Sequence, residues 1–180
     1  MYSFLKKYRI IIILILLVLF ISGCAEMNRN LYDPKEVESV KDLSSFEEVV
    51  TKLDTPEKVY EWMRINFSYV PDDSYDDEFR APQTTFGLRY GDCDDYALFA
   101  EYVLKEHGYE TEIISVFSAT KGHTVCVWKD NNKKYNHLSN SDLRKISVKK
   151  LEKIAEDVYA DWKVYSIYPS NQGIVRTGAQ

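Results

Sequence analysis

The sequence predicts an α+β domain in which helices come first, an antiparallel sheet follows, and one helix between them carries the chemistry. Three observations point there. Apolar residues recur at helical spacing behind two N-cap signals between positions 44 and 67. A capped amphipathic helix spans roughly 92 to 107. From 111 to 140, β-branched and aromatic runs alternate with turn residues. At 180 residues and 45% hydrophobic, the chain is long enough for one domain with a substantial core. It carries a net charge of −5 and no basic stripe with interleaved aromatics, which argues against nucleic acid as a partner.

Taken in order, residues 1–23 read as a targeting signal. Lys6, Lys7 and Arg9 form a positive start, Ile10 to Ile21 is an unbroken apolar run, and Ser22-Gly23-Cys24 follows. A dozen apolar residues fall short of the roughly 20 that a spanning helix needs. Small residues before a cysteine resemble a lipobox, which implies cleavage before Cys24 and acylation of its thiol. The expected location is the extracytoplasmic face of the cell membrane, held there by the lipid. Removing Met1 to Gly23 takes away three positive charges and no negative ones, leaving a mature chain near −8. Residues 24–41 read as a polar tether, 42–168 as the folded domain and 169–180 as a tail.

Within the domain, Ser44 and Ser45 each precede a Glu by three positions, a capping-box signal for a helix through Phe46, Val49, Val50 and Leu53. Thr55-Pro56 starts a second helix whose stripe is Val59, Trp62, Met63 and Phe67. Asp72, Asp73, Asp76, Asp77 and Glu78 then crowd a loop. No cofactor is expected, with calcium at these carboxylates as the one candidate, although their spacing does not fit an EF-hand. Asp92 caps the central helix and Gly108 ends it.

Thr111 to Ser118 and His123 to Trp128 read as strands. A hairpin turn at Asp130-Asn131-Asn132-Lys133 leads into a return strand from Lys134 to about Asn140. With Asn131-Asn132 as a two-residue loop, Asp130 pairs with Lys133, which sets His123 opposite Asn140 and Cys126 opposite His137 on the other face. Ser147 is expected to cap a helix carrying Val148, Leu151, Ile154, Ala155 and Val158, and Trp162 to Tyr168 reads as the last strand.

Cys93 falls in the first turn of the central helix, where unpaired N–H groups and the helix dipole favour thiolate, while Asp92, Asp94 and Asp95 oppose it. A cysteine nucleophile needs an imidazole to take and return its proton and a polar group to orient that ring. His123 and Asn140 fill those roles in the expected register.

Gly91-Asp92-Cys93-Asp94-Asp95-Tyr96-Ala97, followed by Gly122-His123-Thr124-Val125-Cys126-Val127, resembles the transglutaminase-like superfamily, nearest its bacterial cysteine proteinases. The likeness runs from about Thr55 to Asn140. It implies a papain-like core with the Cys helix packed on an antiparallel sheet, and acyl transfer at an amide through a thioester. Cys93 and His123 match the nucleophile and base. Where relatives often read Leu-Asp-Asn, this chain reads Leu138-Ser139-Asn140, so motif alignment puts Ser139 in the third position and hairpin register puts Asn140 there, with Asp142 as a further option. A protein or peptide substrate is expected, cell-wall peptide included, and water or an amine could resolve the thioester. Rival readings are a Cys93–Cys126 disulfide, a zinc site of Cys93, His123, Cys126 and His137, and an inactive binding module on the same fold.

Overall fold

Ser45 caps the first helix, α1 (Phe46–Lys52), through a reciprocal pair: its Oγ accepts from the Glu48 N–H and its own N–H donates to the Glu48 carboxylate, each at 3.1 Å. Thr55 caps α2 (Pro56–Asn66), with Pro56 where a missing N–H costs nothing. These elements come from a computed structural model that describes residues 40–71, 79–168 and 176–179. The signal, most of the tether and the acidic run from Asp72 to Glu78 lie outside the described residues.

After α2 come β1 (Ser68–Tyr69), α3 (Pro82–Leu88), β2 (Tyr90–Gly91) and the central helix α4 (Cys93–Glu106). The sheet strands are β3 (Thr111–Phe117), β4 (Gly122–Lys129), β5 (Tyr135–Ser139) and β6 (Asp142–Val148). Helix α5 (Leu151–Val158) then leads to β7 (Val164–Tyr168) and β8 (Arg176–Ala179). The six-stranded sheet runs β6-β5-β4-β3-β7-β8 and every neighbouring pair is antiparallel. β1 and β2 form a separate parallel pair that brings the end of α2 alongside Gly91.

The sheet is buried on both faces. Helices α1, α2 and α4 cover one, where Trp62, Phe99, Leu104, Ile113, Cys126 and Trp128 meet. Helix α5 covers the other, against Ile114, Val116, Val125 and Val127. This is the predicted α+β architecture with the Cys helix packed on an antiparallel sheet. It is the arrangement that the resemblance to the transglutaminase-like superfamily implied.

Several sequence expectations need correction. Residues 142–148 form β6, an exposed edge strand, and Ser147 sits inside it at φ 49 rather than capping a helix; α5 starts at Leu151. Helix α3 was not anticipated, since Thr84, Thr85 and Gly87 are poor helix formers. The tail contributes β8, paired with β7.

The hairpin register is also off by one. Asp130 Oδ1 accepts from the N–H groups of Asn132 (2.8 Å) and Lys134 (3.0 Å), and Lys133 takes φ 56. That makes a three-residue loop closed by a left-handed residue. Cys126 therefore pairs with Leu138 and Val127 with His137. Because side chains alternate, one step exchanges the two faces of β5. Ser139 and His137, not Asn140, share the face of His123.

Candidate active site

Gly91 is fixed by a close approach: a Cβ there would overlap the Asp95 side chain. That carboxylate is fully buried, accepts from the Asp92 N–H at 3.3 Å and forms an ion pair with Arg80. Asp92 in turn accepts from the Asp94 N–H at 3.3 Å, completing the cap. The helix start is thus locked before Cys93 is placed on it.

Cys93 is half-buried and free, on a helix packed against β4, and Thr124 of that strand is the polar neighbour that favours its thiolate. Thr124 is the residue after His123 on β4, and its hydroxyl is 2.7 Å from that of Ser115. Burial pushes the thiol pKa up and Asp92 and Asp94 add to this, while the Thr124 donors pull it down. The dipole-driven thiolate expected from helix position is overridden by desolvation and neighbouring carboxylates.

His123 is half-buried, and burial pushes its pKa down, with His137 acting in the same direction and Asp92 against it. Both shifts favour the uncharged forms, thiol and neutral imidazole. Nε2 of His123 lies 2.8 Å from Ser139 Oγ, so Nδ1 is the ring nitrogen left for the thiol proton. The two groups are not hydrogen-bonded to each other at rest, and such bonds commonly tighten only when substrate binds.

The expected partner Asn140 is not on His123. It takes φ 51 in the two-residue β5–β6 loop, a conformation asparagine tolerates, and its Oδ1 is buried without a partner. Asp142 is exposed and pairs with Ser139 along the ladder. Cys126 is fully buried on the helical face and unbridged, so no disulfide joins it to Cys93. Among the described residues the group able to hold a metal is Asp92, Asp94 and Asp95, whose oxygens lie within 4.8 Å of one another; the rival cysteine–histidine zinc set is not among them. Thr124 and Tyr159 also belong to the site and were not anticipated. The Tyr159 hydroxyl donates to the Gly122 carbonyl at 3.2 Å, and its ring lies under the Lys121 ammonium at 4.3 Å.

Residues 38–136, more than half of the chain, match the family described as transglutaminase-like domain. The chain belongs to that family. The match covers Cys93 and His123 and stops short of Ser139. Among solved structures, this transglutaminase-like chain is similar to LapG of Legionella pneumophila, at 20% identity over 78% of this chain and 73% of that one, with a TM-score of 0.49. A calcium-bound form of LapG matches at 18% identity over 77% and 76%, TM-score 0.47. A candidate cysteine protease from Cytophaga hutchinsonii matches at 10% over 81% and 48%, TM-score 0.41. Comparison with curated proteins gave no match.

Proposed function

We propose that this protein is a lipid-anchored, extracytoplasmic cysteine acyl-transfer enzyme acting on an amide bond, with Cys93 as nucleophile, His123 as base and then acid, and Ser139 orienting the ring. The observation that carries this is the packing of the capped Cys helix on the strand that bears His123, with His123 Nε2 2.8 Å from Ser139 Oγ.

Sγ of Cys93 attacks the amide carbonyl carbon as its proton passes to His123. The oxyanion meets the Cys93 backbone N–H, one of the donors that a helix start leaves unpaired. Collapse breaks the C–N bond, and His123 returns the proton to the departing amine nitrogen. A thioester on Cys93 remains, to be resolved by water or by an amine. Because the neutral form is favoured in both groups, proton transfer accompanies attack instead of preceding it.

Hydroxylamine tests this whatever the natural acceptor is. Added to the enzyme with a protein or peptide substrate mixture, it should intercept the thioester and yield acyl hydroxamates. Absence of hydroxamates together with absence of cleavage would favour the inactive binding module.

For anchoring, the support is the apolar run ending at Cys24. Cys24→Ala should accumulate as unprocessed precursor without acyl chains, read by intact mass; normal processing of that variant would end the lipoprotein proposal.

A second reading concerns a divalent cation such as calcium. The acidic loop where it was expected lies outside the described residues, and the support is the Asp92, Asp94 and Asp95 group at the start of α4. A cation there would offset the carboxylates that add to burial in favouring the neutral thiol. Calcium added to chelator-treated protein should then raise Tm; an unchanged Tm leaves these residues as a helix cap alone.

A further inference from the structure

On the same face of the sheet as His123, across from Val127, lies a second imidazole that the thiol chemistry does not use. His137 is 1% exposed and precedes Ser139 by two residues, so both side chains leave β5 on one side. Its Nε2 is 2.9 Å from Asp157 Oδ2 on α5. The same carboxylate receives Nε–H and Nη2–H of Arg144 at 3.1 and 3.0 Å. Arg144 stands opposite His137 across the β5–β6 ladder. One carboxylate thus pins to α5 both strands of the hairpin that presents Ser139.

The surroundings of this position are largely apolar: Val127 lies directly across, and Ile154 and Ala155 pack on the same face. There the chain buries an imidazole whose Nδ1 has no hydrogen-bond partner. With Nε2–H donating to Asp157, Nδ1 carries a lone pair, and protonating it would bury an N–H with no acceptor.

We propose that His137, held by Asp157 and Arg144, is a positioning residue of the His123 site: it fixes the hairpin that presents Ser139, and it competes with His123 for protons. This rests on the Cys93–His123 assignment above. His137 is faced by Asp157 from α5, by Arg144 and Asp142 from β6 and by His123 from β4; His123 is faced by His137 and by Asp92 from the α4 cap. Burial pushes both imidazoles down, and two cations on one face oppose each other, so a proton taken by one is withheld from the other.

The chain has three histidines, so ring titrations by NMR are resolvable. His137→Gln retains an N–H donor for Asp157 and removes the ring nitrogen that could take a proton. In it, His123 should titrate at higher pH than in wild type, and Cys93 should alkylate about threefold faster on the acidic side, with Tm unchanged. Arg144→Gln gives the opposite sign: without the guanidinium, Asp157 draws a proton to His137 more strongly, and His123 should titrate lower. Arg144 is an exposed residue, so this variant keeps the test available if His137→Gln does not fold. Identical His123 titrations in wild type and both variants would overturn the proposal. Failure of the Cys93–His123 assignment would look different: Cys93 alkylation would be indifferent to His123→Gln, whatever the ring titrations show.

Discussion

Cys93→Ala and His123→Ala should each abolish hydroxamate formation, by at least about four decades, because nucleophile and base act as one unit. The third position separates two readings of the same hairpin. Ser139 Oγ is the group on His123 Nε2, so Ser139→Ala leaves that half-buried nitrogen without its partner. Losing such a partner costs on the order of 1–3 kcal/mol, or roughly one to two decades in rate. Asn140→Gly should leave the rate near wild type, because glycine adopts the positive φ that Asn140 holds in its turn. Ser139→Asp places a carboxylate on the ring. It should stabilise the imidazolium, raise the His123 pKa and move the pH profile upward without loss of activity. A crippled Asn140→Gly beside an unaffected Ser139→Ala would reverse the assignment.

The largest stability effect should come from Trp62→Ala. Trp62 is fully buried on α2, stacked on Phe99 at 5.3 Å and Phe86 at 5.8 Å, and edge-on to Phe67 at 5.2 Å. The Arg89 guanidinium lies 4.8 Å from its ring centre. Phe99 belongs to the Cys helix and Phe86 to α3, so this ring joins three helices behind the site. Truncation should cost about 3–5 kcal/mol, lowering Tm on the order of 10 °C by calorimetry. Trp62→Phe keeps the aromatic contacts and removes an indole N–H that has no partner, and should retain most of the stability. Equal losses in the two variants would mean that the stack is not what holds α2 to α4.

Much of this was legible in the chain because the signals were local. Ser45, Thr55 and Asp92 cap the helices expected of them, since a cap is written within three or four residues. The β4 faces followed from simple alternation, which placed Cys126 away from His123 and spoke against a disulfide. What failed depended on distant or competing terms. The Asn131-Asn132 pair suggested a two-residue loop, but the Asp130 carboxylate gathered two N–H groups and lengthened it by one. That single step carried Ser139 to His123 and Asn140 away, as motif alignment with the family had implied. β6 was missed because an edge strand buries little and carries Arg144 and Lys145 outward, which blurs the alternation. The acidity expected of Cys93 from helix position ignored burial, which the sequence does not state.

Alkylation with iodoacetamide tests most directly whether Cys93 is a nucleophile whose reactivity depends on His123. The folded protein would be labelled across a pH series and the modified cysteine mapped by mass spectrometry. Cys93 should label and fully buried Cys126 should not. His123→Gln should slow Cys93 by at least about tenfold near neutral pH. Equal Cys93 rates with and without the imidazole would contradict this dependence.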